Sequence, residues 1–329
     1  MAGGGDMVRS FVFNQTQGKL ISQDISLDLL KVVLKDEGVQ FWVDVGDCSD
    51  EEAKSVLDGV FQFHPLAIED CLTPSDRSKV EEYDGYLFLV IHAVTYNEGE
   101  FKSSEIDLFI GKNFLVTYHR EPLRCVNATV DRVLKNAPTV ARAPDRLTYT
   151  ILDFLLEGYA PALEDLTVEI AELEKNVLSD PSQSILENVV KLKVEVQRLR
   201  QIVWPQRETM ARMSHGEFKI VRSHMLPYYR DLLDQLVRIS TMAENARDSL
   251  TNVLQVHLSL QQMQVNHVIK VLTVMATLFM PVLVVTSYYG MNVMHWPGPD
   301  DPNAWWWIWG VTGASTAAIY GLLKKKGWL

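Results

Sequence analysis

The residues best placed to do chemistry close the most apolar stretch of the chain, in the run Tyr289-Gly290-Met291-Asn292. A helix ending here exposes carbonyl oxygens carrying a partial negative charge of roughly half a unit. Gly290 suits a C-terminal position with positive φ. Several such ends converging on one axis would form an electronegative mouth without any acidic side chain. Asn292 adds one amide oxygen per chain, able to accept hydrogen bonds from water bound to a cation. That chemistry suits Mg2+, which demands near-octahedral oxygen ligation and sheds water reluctantly. Neutral oxygens can hold the hydrated ion through its water shell, whereas a carboxylate ring would hinder its release.

The helix that must position this mouth carries a second pattern. At about 100° per residue, Asn266, Ile269, Leu272, Thr273, Ala276, Met280, Leu283 and Ser287 fall within about one third of the circumference. The stripe mixes small, polar and apolar residues and contains no carboxylate. It fits a pore lining and a helix-packing face equally, since small and hydroxyl residues serve both. Two helices cannot enclose an aqueous path, so a lining role requires several copies of the chain. Lys270, near the inner end, can snorkel its ammonium to the headgroups.

Residues 271–289 and 304–323 contain no charged side chain. At about 1.5 Å per residue, each reaches across a hydrocarbon core of roughly 30 Å. The second begins with Trp305, Trp306, Trp307 and Trp309, an aromatic belt, and ends at Lys324, Lys325 and Lys326. By the positive-inside rule these lysines put the C-terminus in the cytoplasm, and two crossings put residues 1–265 there too. No secretory signal opens the chain: residues 1–6 read as a flexible tail, and a strand-like alternation starts at Arg9. The outer link, 290–303, carries Asp300 and Asp301 and no Lys or Arg, which gives either a cation-attracting mouth or two solvated acids.

Lys and Arg number 31 against 42 Asp and Glu, a net charge of −11. This balance argues against a nucleic-acid binder, which presents a basic face to phosphates. A hydrophobic share of 47% excludes global disorder. Cys48, Cys71 and Cys125 are odd in number and far apart, which fits a reducing compartment rather than a disulfide framework or a Cys-rich zinc site. Residues 41–45, 86–94, 106–110 and 114–118 read as strands, and 27–35, 51–61 and 123–135 as helices. The two prolines of 137–144 mark a boundary. Long helices follow over 147–177 and 184–213. A third over 228–289 would be about 93 Å long, a stalk continuous with the first span.

The expected fold is therefore an α+β cytoplasmic domain (1–140), a helical stalk (145–265), a pore-lining span (266–289), an external loop (290–303), a second span (304–323) and a basic cytoplasmic tail (324–329). The Gly-Met-Asn run in this setting, with Lys270-Val-Leu-Thr273 and Ala276-Thr-Leu-Phe-Met-Pro281 before it and the lysine-rich end after it, resembles the CorA-type magnesium and cobalt transporters. Ile202-Val-Trp-Pro-Gln-Arg-Glu208, Pro227-Tyr-Tyr-Arg-Asp231 and His64-Pro-Leu-Ala-Ile-Glu-Asp70 extend the likeness over nearly the whole chain.

The resemblance implies a funnel-shaped homopentamer in the inner membrane, the first span lining the pore. It implies that Asn292, with Gly290 and Met291, selects the hydrated ion. Leu272 and Met280 match apolar constrictions, Ile269 stands where the family often has Met, and Asn266 matches a polar ring. Asp70 and Asp231, with Glu69 as accessory, match carboxylates that bind regulatory Mg2+ between neighbouring subunits. The implied activity is passive uptake of Mg2+, with Co2+ and Ni2+ as further passengers, and no organic cofactor. Leu283, Ser287 and the outer loop depart from the family pattern, which bears on ion preference. A zinc-transporting relative shares the scaffold but commonly differs at the position of Met291. From other classes, a membrane-anchored enzyme finds no motif around His64, His92 or His119, and a flux-free sensor would not need the outer tripeptide.

Overall fold

Consecutive side chains along the central strands serve two different cores. In the strand Tyr86–Asn97, Leu87, Leu89 and Ile91 pack into one cluster, and Phe88 and Val90 into the other. Strands buried on both faces read as unbroken apolar runs, which is why they stand out in the sequence. The computed structural model describes residues 8–34, 36, 38–75, 77–179, 183–291 and 303–328. Its contacts divide the chain into two units, Met1–Leu254 and Gln255–Leu329.

The first unit is built on seven strands: β1 (Val8–Asn14), β2 (Leu20–Gln23), β3 (Val39–Gly46), β4 (Lys79–Tyr83), β5 (Tyr86–Asn97), β6 (Glu100–Gly111) and β7 (Phe114–His119). They lie in the order β2-β1-β3-β7-β6-β5-β4, antiparallel except for the parallel pair β3–β7. Three short helices, α1 (Leu27–Val33), α2 (Asp50–Leu57) and α3 (Pro65–Leu72), bury Leu30, Ala53, Val56, Ala67 and Cys71 with one sheet face. A capping box between Ser49 and Glu52 starts α2. The other face takes α4 (Arg124–Val140), α5 (Pro144–Glu157), α6 (Tyr159–Ser179), α7 (Gln183–Ser214) and the first part of α8 (Leu226–Tyr289). The runs expected as strands and helices are all found. The short β2, β4 and α3 were not legible in advance.

One helix differs from expectation. The single helix expected over 147–177 is two, broken at Gly158. Pro161 has no N–H to bond the Glu157 carbonyl, so the ladder stops there. The helix expected over 123–135 ends as expected: Asn136, just ahead of Pro138, leaves helical geometry, a short second piece reaches Val140, and 141–143 separate it from α5 within the expected boundary at 137–144.

Tyr159 holds three elements of this layer together. Its side chain is fully buried, its hydroxyl donates to the His92 carbonyl of β5 at 2.7 Å, and it accepts from Gln206 Nε2 of α7 at 2.8 Å. Tyr159→Phe keeps the ring but removes both hydrogen bonds, leaving Gln206 Nε2 only its contact with the Ile202 carbonyl. We expect it to cost about 1–3 kcal/mol, measured by urea unfolding of the purified protein in detergent; an unchanged midpoint would refute the role.

Candidate functional site

The second unit contains the end of α8 and α9 (Ala304–Lys325). Its part of α8 buries one line of residues: Val274 is 7% exposed and Pro281 is buried, with Lys270, Thr277, Leu278 and Val285 half-buried along the same side. The expected stripe lies away from that line. Leu272 is 69%, Met280 61% and Leu283 62% exposed, and Asn266, Ile269, Thr273, Ala276 and Ser287 are exposed with them. All eight stripe residues are thus left uncovered by their own chain. Asn266 accepts a hydrogen bond from Gln262 at 3.2 Å. Lys270 donates to the Gly327 carbonyl at 3.1 Å.

Hydroxyls in this unit return to their own helices. In α8, Thr273 donates to the Ile269 carbonyl at 2.7 Å, Thr277 to Thr273 at 2.7 Å and Thr286 to Val282 at 2.8 Å. In α9, Thr312, Ser315 and Thr316 do the same toward Ile308, Val311 and Thr312. A hydroxyl surrounded by hydrocarbon needs such a partner, and the donated proton leaves its lone pairs outward.

Among the described residues one helix, Ser223–Tyr289, combines the length and hydropathy needed to cross a membrane. The helix expected over 304–323 is present as α9, but it falls short on hydropathy. Its tryptophans and its Gly, Ser and Thr residues are only weakly apolar, although Trp is favoured at interfaces. Trp305, Trp306, Trp307 and Trp309 are all exposed.

At the outer end of α8, the Gly290 N–H donates to the Thr286 carbonyl at 2.9 Å, continuing the helical ladder. Gly290 is not in the left-handed region, contrary to expectation. Because the ladder simply runs on, no reversal of φ is needed. Met291 follows, exposed. Asn292 lies outside the described residues.

The candidate regulatory acids sit on the first unit. His64 caps α3: its N–H donates to Tyr86 Oη at 2.9 Å, its ring nitrogen accepts from the Leu66 N–H, and Pro65 occupies the first turn. With Ala67, Ile68 and Cys71 turned inward, Glu69 is left exposed and Asp70 half-buried. Asp70 forms an ion pair with Lys79 of β4, whose ammonium also reaches Glu81 at 3.2 Å and lies over the Phe88 ring, 5.6 Å from its centre. Burial opposes the ammonium, but the hydrogen bonds and charges of Asp70 and Glu81 outweigh it and hold Lys79 above the usual lysine value.

Asp231 is exposed on α8, one turn into a segment fixed by the buried Tyr229, whose hydroxyl donates to the Asp145 carbonyl at 2.8 Å. The Gln235 amide spans two carboxylates, 2.9 Å from Asp231 Oδ2 and 3.4 Å from Asp153 Oδ1. Asp70 and Asp231 therefore have separate partners within one chain. Among the described residues no group of three His, Cys, Asp or Glu is arranged to hold a metal. Lys79 and Asp153 escaped the sequence reading. The alternation Lys79-Val80-Glu81 with Val80 buried was the available signal for the first, since it puts Lys79 and Glu81 on one strand face.

A last acidic locus lies in a cavity of about 160 Å³ lined by Ser75, His92, Glu105, Asp107, Tyr118 and neighbours. Asp107 is buried, with one carboxyl oxygen unpartnered, as is the Tyr118 hydroxyl. Burial, reinforced by the Glu105 charge, pushes Asp107 well above the usual carboxylate range.

A mixed sheet lies between helical layers and is followed by a helix long and apolar enough to cross a membrane. The family model described as CorA-like Mg2+ transporter protein matches residues 38–325, and the chain belongs to that family. It is 29% identical over 304 residues to the cobalt/magnesium transport protein CorA of Thermotoga maritima, covering 90% of this chain and 85% of the relative. Its fold is similar to the complete structure of the CorA magnesium transporter from Methanocaldococcus jannaschii, with a TM-score of 0.80, 20% identity and coverage of 99% and 100%. It is also similar to the ZntB cytoplasmic domain from Vibrio parahaemolyticus, with a TM-score of 0.61, 13% identity and coverage of 77% and 98%.

Asp107 supplies a pH-dependent outcome. Its raised native pKa means the folded chain keeps a proton that the unfolded chain loses above about pH 4. Its contribution is therefore full below that pH and declines as pH rises through the native value. Asp107→Asn should raise stability relative to the parent at about pH 8 and change it little at about pH 4. Urea unfolding at both pH values tests this, and equal destabilisation at both would count against it.

Proposed function

We propose that this chain carries hydrated Mg2+ down its electrochemical gradient along the axis of a homopentamer. Membership of the CorA-like family supports divalent cation transport, and it makes the chain a transporter rather than an enzyme. The observation that supports the pore assignment is the α8 stripe: eight residues of mixed polarity that the chain leaves uncovered, beside an equally uncovered and mostly apolar arc at Val268, Val271, Met275, Phe279 and Val282. In this reading α8 and α9 both cross the bilayer, α8 lines the axis and Lys324 to Lys326 keep the C-terminus inside. The exposed tryptophans of α9 then lie at the outer interface.

The apolar rings at Leu272 and Met280 form the closed neck. Asn266 is the inner polar ring, and Thr273, Ala276, Ile269, Leu283 and Ser287 complete the wall. Gly290, Met291 and Asn292 form the outer filter, where neutral oxygens read the water shell of the ion. A divalent ion moving inward gains about 4.6 kcal/mol at 100 mV, so no nucleotide is needed. Cytoplasmic Mg2+ bridging Asp70 and Asp231 of neighbouring copies, with Glu69 as accessory, relieves their repulsion and holds the neck closed. Depletion of the ion releases the neck.

Flux in liposomes containing only this protein tests the reading. Asn292→Ala should abolish Mg2+ uptake while a folded oligomer persists by size-exclusion chromatography, and retained uptake would remove the filter. Asp231→Lys and Asp70→Lys should each weaken inhibition by internal Mg2+. If inhibition is unchanged in both, these acids do not sense the ion. Competition by Zn2+, Co2+ and Ni2+ in the same assay orders the passengers.

A further inference from the structure

Asp70 is already neutralised inside its own chain. The Lys79 ammonium contacts its Oδ2, and the same ammonium bonds Glu81 Oε1 at 3.2 Å and rests over the Phe88 ring. Glu81 is in turn fixed by the Tyr83 hydroxyl, which donates to its Oε2 at 2.9 Å. Tyr83 stacks between His64 and Tyr86, with ring centres 5.2 Å from each. The ammonium is thus seated by two carboxylates and one ring, and the seat is built from the cap of α3, β4 and β5. This is more than a surface ion pair between mobile side chains, the usual worth of which is small.

We propose that Lys79 is an internal competitor for the regulatory cation, a resident charge that sets the Mg2+ concentration at which Asp70 is occupied. The proposal rests on the reading of Asp70 as a regulatory ligand. With no Mg2+ present, Lys79 prevents Asp70 and Glu81 from facing each other as bare anions. A hydrated Mg2+ arriving at Asp70 finds one carboxylate oxygen engaged and a like charge close by. Both effects weaken its binding. A sensor must be half-occupied near the level it reports, so an affinity lowered in this way serves the purpose better than a bare acidic pair. The seat makes the lowering a built property of the chain.

The test is liposome flux with internal Mg2+ titrated, comparing the parent chain with Lys79→Met and Lys79→Arg. Removing a +1 charge about 6 Å from a +2 ion under water-like screening corresponds to about tenfold in affinity. Lys79→Met should therefore lower the half-inhibitory Mg2+ concentration by about threefold to tenfold. Lys79→Arg, which keeps the charge, should stay near the parent. In the Asp70→Asn background Lys79→Met should produce no further shift. A merely structural role would reduce maximal flux or oligomer yield in both Lys79 variants without this directional change. An unchanged or raised half-inhibitory concentration in Lys79→Met, with the parent still inhibited, would overturn the proposal alone. A parent chain insensitive to internal Mg2+ would overturn the regulatory reading of Asp70 as well.

Discussion

An apolar helix face must be covered by something, and here its own chain covers only part of it. Val274 and Pro281 are buried, while Leu272, Met280 and Leu283 around the helix from them are not. In water, such a surface would associate without selectivity. In a bilayer it can face lipid, or it can meet copies of itself. The mixed character of the stripe separates these outcomes. Asn266 and Thr273 already find partners within α8, and a water-lined face gives their remaining lone pairs a use that lipid does not. A face shared among copies around water gives both the polar and the apolar members a role. In the proposed pore the apolar ones close a narrow neck by excluding water, and the polar ones border hydrated segments on either side. Thr273 suits such a border, because its proton is held by the Ile269 carbonyl and its lone pairs remain outward.

The rest of the chain gives that helix its start. The sheet has both faces buried, and the helical layer on one face shares a single core with the sheet, from Phe11 to Val253. Tyr229 enters this core at the start of α8 and donates to the Asp145 carbonyl, while the Asp145 carboxylate accepts from Arg222 just before the helix. The position of Asp231 is therefore dictated by buried neighbours, although its own side chain is exposed. Asp70 is fixed in the same manner by the cap and the inward side of α3. Exposed carboxylates on rigidly held elements can meet a partner at a defined distance, which flexible loops cannot offer.

Strong periodicity made much of this legible. Strands buried on both sides form unbroken apolar runs, and the α8 stripe follows from helical spacing alone. What escaped was short or depended on a single residue. The strand β4 spans five residues with two glutamates and a lysine, a composition that reads as a solvated loop. The helix α3 is eight residues long and owes its start to a histidine cap, an unusual choice beside Ser, Thr, Asp or Asn. Pro161 divides α5 from α6 because it lacks a donor, a local effect that an apolar period of three to four residues conceals. At Gly290 the residue type suggested a left-handed turn, whereas glycine permits that conformation without requiring it. The filter assignment at Asn292 rests on the motif and on the class of the protein, since that residue lies outside the described part.

The two kinds of cation chemistry in this chain call for opposite electrostatics. In the proposed pore every ion must leave as readily as it enters, and the polar members of the stripe, Asn266, Thr273 and Ser287, offer an amide and hydroxyls without formal charge. At Asp70, in its proposed regulatory role, the ion must stay long enough to report its concentration, which a carboxylate can achieve. A carboxylate unopposed would hold a divalent ion at levels below those worth reporting. The chain places an ammonium against that carboxylate and seats it between Glu81 and Phe88. In the proposed reading conduction is kept weak by withholding charge, and sensing by supplying an opposing one. The second device can be tuned by a single residue on β4 without altering the pore helix.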